Sequence, residues 1–599
     1  MVYDALVIGS GAAGYAAADR LFKAGLTNIA VVTEGRLCGT SRNTGSDKQT
    51  YYKLSSDGVA ADCAYDMACE IFAAGSCDGE LAYTEAVNSL RCFFTLKEYG
   101  VPFPEDEYGG FPGYRTDHDC ARRASSVGPL TSKYMTECLE KKVLELNKTQ
   151  LLDGFRAVRL LTDGGRCCGV LCLDKKTDEI KPLYARAVIA ATGGPACVYA
   201  SSVYPPSQHG MTGIFISAGA KLCNFAEWQY GLASTSFRWN VSGSYMQVVP
   251  RFVSIGGDGE ECEFLTGHFA NPEVLFGTVF RKGYEWPFSS ERAGASSRLD
   301  MLVKEQTDSG RRVYLDYTKN PQGFSEDALP EDARGYLTSA DAHGGTPYGR
   351  LMKLNPKAAR LYKDHGIDLS REYLEIGVCA QHNNGGVLVD RHYQSSIAGL
   401  YVTGEAAGVF GITRPGGTAL NSTQTGALAA AEHIAKHLPP APGESEIPSA
   451  ESLAAEYREL VSRVTPGEDE GSRLIPQKMS ECAGIVRDIE NCKSLLTEVD
   501  ARLSENDTHA PSVNEYFSRR DMLMTSRSLL TTVINGSALT GSRGGALVIS
   551  GGGTLPENEY YRDYLMITDG ENVTFKKVSP VPKPDTVFEK LLGSDGETD

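Results

Sequence analysis

The sequence predicts an α/β fold: a parallel-sheet domain interrupted by an α+β insertion and followed by a helical C-terminal domain. Three observations predict it. An apolar strand over 3–8 runs directly into Gly9-Ser10-Gly11-Ala12-Ala13-Gly14, and further apolar strands recur at 28–33 and 187–191. Between about 232 and 370 the pattern becomes irregular, with Gly, Pro and aromatic residues crowded into stretches such as Lys282-Gly283-Tyr284-Glu285-Trp286-Pro287-Phe288. Beyond the linker Leu438-Pro439-Pro440-Ala441-Pro442-Gly443, amphipathic helices run from about 450 to 537 and read as a separate unit.

Tyr3-Asp4-Ala5-Leu6-Val7-Ile8 reads as a buried parallel strand, and a helix over 15–24 follows the glycine turn. The next strand ends at Glu34, twenty residues beyond Gly14, where the acidic ribose ligand of a βαβ unit falls. Gly9 permits the tight turn, Gly11 lets backbone approach a pyrophosphate, and Gly14 lets helix pack on strand. Ala12 and Ala13 lie at the helix N-terminus, whose partial positive charge suits an anion. This is a Rossmann-like dinucleotide-binding unit, with Glu34 accepting hydrogen bonds from ribose hydroxyls.

Farther on, Arg156-Ala157-Val158-Arg159-Leu160-Leu161 and Gly169-Val170-Leu171-Cys172 flank the turn Asp163-Gly164-Gly165 and predict a hairpin. The apolar strand at 187–191 ends in Thr192-Gly193-Gly194, a second close backbone approach. Strand-and-turn character resumes at 371–403. Gly404-Glu405 and Arg414-Pro415-Gly416-Gly417-Thr418-Ala419-Leu420-Asn421 follow, and then a helix of small residues over about 422–437. The expected layout is therefore 1–231 and 371–438 for the nucleotide-binding domain, 232–370 for the inserted domain, and 445–599 for the helical domain and tail.

At 599 residues the chain exceeds what one hydrophobic core supports. A formal charge of −17 with no Lys/Arg run argues against a nucleic-acid surface, so an anionic substrate needs a local basic pocket. There is no secretion-signal layout and no apolar run of roughly 18 residues, so a cytoplasmic protein without a transmembrane segment is expected. The 16 cysteines are scattered, and Cys167, Cys168 and Cys172 have no matching Cys or His set, which predicts reduced thiols and no bound metal.

The set Gly9/Gly11/Gly14, Glu34, Thr192-Gly193-Gly194, Gly404-Glu405 and Gly416-Gly417 is similar to the fumarate reductase/succinate dehydrogenase flavoprotein family, which includes L-aspartate oxidase. The resemblance spans nearly the whole chain, including a helical region around 473–487 and Ser542-Arg543-Gly544. It implies an extended FAD. Residues 9–14 and Glu34 would hold the ADP half, and Thr40, Ser41, Asn43, Thr44, Gly45 and Ser46 the pyrophosphate and isoalloxazine. Ala157 would meet adenine through its backbone, with Thr192, Gly193 and Gly194 forming a further part of the site. Gly404 and Glu405 would bind the ribityl chain. Gly417, Thr418, Ala419, Leu420 and Asn421 would open a helix facing the pyrimidine edge of the flavin. The 39–45 loop lacks the histidine that attaches FAD covalently in several members, so FAD is expected to be non-covalent.

The resemblance also implies chemistry: reduction of an activated C=C bond, with hydride from flavin N5, a proton from a cationic residue and cations that hold a carboxylate. His382, before Gly385-Gly386, resembles a carboxylate-binding histidine; Arg414 resembles a clamping arginine, whose two-pronged donors suit the task. Arg292 is the candidate proton donor, with Arg281 and Arg298 as competitors. Where relatives carry Gln-aromatic-His-Pro, this chain has Glu227-Trp228-Gln229-Tyr230-Gly231-Leu232, so a second carboxylate-binding histidine is missing. Trp228, Tyr230, Tyr284 and Trp286 add aromatic surface instead. The expected reaction is reduction of an α,β-unsaturated carboxylate with an aryl or larger apolar tail. An external donor (reduced flavin, NAD(P)H or an iron–sulfur protein) would supply the electrons. The alternatives are the flavin subunit of a respiratory complex, an L-aspartate oxidase-like enzyme, and an FAD-containing hydratase or isomerase.

Overall fold

Near-continuous apolar runs place three strands at the centre of the first sheet. In a computed structural model, which describes residues 2–56, 61–116, 121–443, 446–467, 469–505 and 507–583, Val2–Ile8 lies between Ile29–Thr33 and Ile180–Ala190, parallel to both. Gln150–Asp153 extends one side of the sheet. On the other side the hairpin Phe155–Asp163/Arg166–Asp174 pairs antiparallel to Ile180–Ala190, and Leu400–Val402 joins that same strand in parallel. The strand over 2–8 hands the chain straight to the helix Ala12–Lys23, so the predicted helix begins three residues earlier than the sequence indicates. The helix Thr418–Lys436, rich in Ala and Thr, packs against it.

A second sheet carries its own hydrophobic core. Its order is Trp239–Asn240, Trp228–Ser234, Leu374–Asn383, Arg312–Asp316, Arg251–Ile255 and Glu261–Cys262, every pair antiparallel. Phe252, Phe276, Phe280, Tyr317 and Tyr362 fill the space between this sheet and helices such as Pro272–Arg281 and Arg298–Asp308. The sheet reaches beyond 232–370 at both ends, because Trp228–Ser234 and Leu374–Asn383 are its two longest strands and pair with each other.

The C-terminal region corrects the sequence reading in two ways. Helices Glu446–Arg463, Glu470–Cys482, Ile489–Ser504 and Val513–Thr532 are present, but they are not a separate unit. Met522, Leu523, Leu529 and Leu530 share the core of the first sheet, and Val513–Thr532 is buried on nearly every face. Its many hydroxyls are accommodated by donating to carbonyls one turn back, as from Thr525 to Asp521 (2.7 Å) and from Thr532 to Ser528 (2.7 Å). Nor does the region stay helical. Leu547–Ser550 pairs with Val486–Asp488, while Tyr564–Thr568 pairs with Val573–Lys577 and with Leu222–Cys223 of the first domain. The apolar, β-branched run at 564–568 buries Leu565 and Met566 and carries that strand. The predicted tail beyond 583 lies outside the described residues.

Among the described residues every cysteine is a free thiol, and no cluster of His, Cys, Asp or Glu could hold a metal ion. Burial pushes the thiol of Cys167 up to about 12 and that of Cys168 to about 11. No helix of the described residues is long and apolar enough to cross a membrane.

Candidate active site

The glycine turn is built as its spacing requires. Gly9 adopts φ +111°, and a Cβ there would lie 2.2 Å from the Ala191 carbonyl oxygen; at Gly14 a Cβ would lie 1.9 Å from the Gly9 carbonyl oxygen. Gly11 caps the helix, and the Ala12 N–H donates to Ser41 Oγ (3.2 Å). A groove runs from this turn, lined by Gly9, Gly11, Ala12, Ala13, Glu34, Thr40, Ser41, Thr44, Ala157, Thr192, Gly193, Gly404, Glu405, Ala419 and Leu420. The hydroxyls of Thr40, Thr192 and Thr403 are buried along it without a partner. Unmade buried hydrogen bonds beside a bare backbone turn are what a phosphate- and hydroxyl-bearing nucleotide would satisfy, so these residues fit FAD.

Other expected cofactor residues are placed differently. Gly45, Ser46 and Gly417 line the adjoining larger cavity. Gly14, Asn43, Gly194, Thr418 and Asn421 line neither space. Asn43 spends its amide on the Leu37 and Gly39 carbonyls (3.0 and 2.9 Å), tying the loop from beneath. Asn421 donates to Glu85 Oε1 (3.1 Å), and Thr418 Oγ1 donates to the Pro415 carbonyl (2.9 Å). Gly194 is bare because a Cβ would lie 2.4 Å from Glu405 Oε1. Glu405 accepts from the Asn383 N–H (2.9 Å) and from Tyr204, and burial pushes its carboxyl up to about 7. Glu34 is not free for a ribose alone: His209 Nδ1 lies 3.0 Å and Arg156 Nη1 3.4 Å from it, and together with Lys175 they outweigh the effect of burial and lower its pKa. Gln208, whose amide donates to the Thr192 carbonyl (2.6 Å), and His209 also line the groove. Sequence reasoning missed both, since an isolated Gln-His pair carries no local signal.

The groove opens into a cavity of about 1640 Å³, and Thr44, Gln49, Gln381, His382, Ala419 and Leu420 border both. Arg292, His382 and Arg414, far apart in sequence, all line this cavity. Arg281 and Arg298 do not: Arg281 sits near Asp332 (3.9 Å), and Arg298 stacks on Phe269 with its guanidinium 5.4 Å from the ring. Arg292 ends a short turn, Ser290–Arg292, that is anchored where the Ser290 N–H donates to the Gly544 carbonyl (2.9 Å). Arg414 stands 5.5 Å from the Phe410 ring, and burial pushes its guanidinium down to about 10. The Nε of Arg292, the Nε of Arg414 and His382 Nε2 are buried without partners. His382 is held well below its ordinary pKa, first by burial and then by Arg414. Asn384 donates to the Ile412 carbonyl (3.2 Å), which turns its Oδ1 toward His382 Nδ1 (3.1 Å). His382 is therefore neutral with its proton on Nδ1, and Nε2 faces the cavity as an acceptor.

The cavity inverts the charge of the chain. Lys48, Arg115, Arg292, Lys357, Arg414 and Arg562 line it against Asp47, Glu70 and Glu291, on a molecule of formal charge −17. This is the local basic pocket an anionic substrate needs. Trp228, Tyr284, Trp286 and Phe288 supply aromatic wall, but Tyr230 does not: its hydroxyl pairs with Tyr199 (2.8 Å) behind the sheet. The C-terminal region closes the far side through Gly544 and Gly545. A buried ion pair, in which Arg543 Nε and Nη2 lie 2.9 and 2.8 Å from Glu227 Oε1, clamps it there.

A nucleotide groove that opens into a cationic, aromatic-walled cavity defines an FAD-dependent flavoprotein, and comparison with known proteins gives the family. Residues 4–420 match the FAD binding domain family, to which the chain belongs. It is 25% identical over 568 residues to the L-aspartate oxidase of Pseudomonas aeruginosa, covering 90% of this chain and 93% of that one. The L-aspartate oxidase of Streptomyces coelicolor is 26% identical over 525 residues, covering 82% and 77%. Among solved structures, a quinol fumarate reductase FrdA variant from E. coli superposes with a TM-score of 0.73 at 16% identity, covering 97% of each chain. The Mycobacterium smegmatis Sdh1 in complex with UQ1 gives 0.74 at 18%, covering 99% and 97%. The chain is thus an FAD-dependent oxidoreductase of the fumarate reductase/succinate dehydrogenase/L-aspartate oxidase family, with the α/β fold class expected from its sequence.

Proposed function

We propose that the protein reduces the C=C bond of an α,β-unsaturated carboxylic acid, using non-covalent FAD recharged by an external donor. The supporting observation is that Arg292, His382 and Arg414 line one cavity that adjoins the groove, each with a buried nitrogen that lacks a partner. When bound, FAD supplies a hydride equivalent to one alkene carbon, and a proton must reach the other. Arg414 supplies the standing positive charge for the carboxylate and polarises the conjugated alkene. His382 is neutral before the acid arrives, so it can donate to a carboxylate only by taking up a proton at Nε2. Arrival of the anion offsets the effect of Arg414 and favours that uptake. Arg292, in the same cavity, delivers the second hydrogen as a proton. Asp300 lies close enough for Arg292 to oppose the burial that raises its carboxyl pKa, and it is paired with Lys282 Nζ at 2.5 Å. The helix beginning at Thr418 turns its positive end toward Ala419 and Leu420, which border both spaces.

The test is anaerobic. Protein reduced with dithionite is mixed with unsaturated acids, and recovery of oxidised-flavin absorbance is followed. Recovery with an enoate, lost in Arg292→Ala and Arg414→Ala proteins that retain FAD, is expected. No recovery with any enoate refutes the proposal. Acid precipitation is expected to release all flavin into the supernatant.

A second reading, oxidation of an amino acid, is favoured by the similarity to the two L-aspartate oxidases. Peroxide release on mixing oxidised protein with L-aspartate in air would establish it.

A further inference from the structure

The cavity wall holds polar atoms that the proposed reaction does not use. Gln229 Oε1, Gln381 Oε1 and Trp286 Nε1 are buried and unpartnered, and all three residues line the cavity. The two glutamines are each only 7% exposed. Gln229 faces His382 across the antiparallel strand pair, whereas Gln381 has no opposite residue. The register steps from Gln229/His382 to Tyr230/Ala380, so Gln381 is the extra residue of a β-bulge, a device that re-aims a side chain. Its amide nitrogen points at the Leu232 carbonyl (3.5 Å), which leaves Oε1 as the unused end. A Cβ on Gly231 would lie 2.7 Å from Trp286 Nε1 and 3.1 Å from Gln381 Nε2, so indole and amide converge over the one residue of the strand that has no side chain.

Gln381 and Trp286 thus meet at Gly231, and Gln229, two residues before it on the strand, adds a second unpartnered acceptor to the wall of the same cavity, where unmade hydrogen bonds are costly. A hydroxyl group matches this set one glutamine at a time: its single hydrogen goes to the Gln381 or the Gln229 oxygen while it accepts from the indole N–H. A second carboxylate does not match: it can only accept, and it would face two amide oxygens. Trp286 and Phe288 offer flat apolar walls for a ring, and the 1640 Å³ cavity exceeds the roughly 300–1,000 Å³ usual for small-ligand sites, leaving room for substrate beside a flavin. Resting on the enoate-reductase reading, we propose that the substrate is a hydroxyaryl acrylate whose ring hydroxyl is read by Trp286 together with Gln381 or Gln229.

The experiment compares 3- and 4-hydroxycinnamate with cinnamate and fumarate as oxidants of the reduced holoprotein. In parallel, calorimetry measures binding of the saturated analogues, hydroxyphenylpropanoate and phenylpropanoate, to the oxidised holoprotein. One hydroxylated acid is expected to exceed cinnamate about 10- to 100-fold in kcat/KM, with fumarate weakest, and its saturated analogue to bind tighter by a similar factor. At least one of Gln229→Leu and Gln381→Leu, which keep size and remove the acceptor, should shrink that ratio to within about threefold while FAD stays bound. A wild-type preference below about twofold in both measurements, or a ratio unchanged in both variants, overturns the inference. If no acid reoxidises the flavin but the hydroxylated analogue still binds preferentially, the reduction reading fails and recognition of the hydroxyl stands. If neither occurs, both fail.

Discussion

Replacing Arg414 with Met removes the charge the proposed mechanism needs and keeps much of the bulk. Arg414 is buried beside the cofactor groove, over Phe410, with its Nε unpartnered, so an incoming carboxylate supplies the contacts the fold leaves unmade. A hydrogen bond to a charged group contributes about 1.5–3 kcal/mol, which predicts a carboxylate affinity weaker by roughly 10- to 150-fold. The change should fall mainly on KM and on the Kd of the saturated product acid, since the clamp holds ground and transition states alike. Unfolding is not expected to mask it. Burial already pushes Glu405 to about 7 and Glu85 to about 8 against the pull of Arg414, so removing it shifts both carboxyls further toward the protonated form, which limits the cost of losing their charge partner. A titration of oxidised holoprotein with product acid across pH supplies the second readout. In the wild type, affinity should rise as pH falls, because binding takes up a proton at His382. In Arg414→Met the pH at which this begins should move upward, because the charge that lowers the His382 pKa is gone. A Kd that changes by less than about threefold with FAD retained refutes the clamp.

Gly14→Ala should yield protein without flavin, because its Cβ would sit 1.9 Å from a backbone oxygen; the flavin-to-protein absorbance ratio measures this, and a full complement of FAD contradicts it. Glu227→Gln and Arg543→Met should each destabilise by about 3–5 kcal/mol in urea unfolding, because each strands one member of a pair whose side chains are 3% and 2% exposed. The double variant should recover part of that loss, and simple additivity would count against the pair. For Glu85, burial raises the carboxyl from 4.5 to about 8 on folding. Its stabilising contribution is therefore complete below about pH 4.5 and is lost as pH rises through about 8; Glu85→Gln should flatten the stability profile across that window, and an unchanged slope would refute the assignment.

What could be read from the sequence was local. The glycine turn, the 155–174 hairpin and the strand before Thr192 each lie within one run of chain whose periodicity or turn residues specify it. Arg414 stood out because two glycines follow it. That Arg292 lines the cavity while Arg281 and Arg298 do not was beyond the sequence, because its turn is tied down where the Ser290 N–H meets the Gly544 carbonyl, an element some 250 residues away. Gln229 and Gln381 carry no sequence signal, because a bulge is a property of strand pairing and not of either strand alone. The helix over 513–532 misled for a related reason. It reads as one of several amphipathic helices, yet Thr525 and Thr532 bond to carbonyls one turn back, which allows polar positions of the helix to be buried.

The late strand over 564–568, which pairs with residues 222–223, bears on synthesis of the protein. A ribosome has made the nucleotide turn, both sheets and all three catalytic candidates by residue 436, yet Gly544, Gly545 and Arg562 of the cavity wall are still untranslated. The emerging chain carries every residue of the nucleotide groove well before it can shelter a reactive reduced cofactor from solvent and oxygen. Completion of the wall thus waits on residues 544–562, and a chain clipped just before 540 would lack the segments that close the reaction chamber.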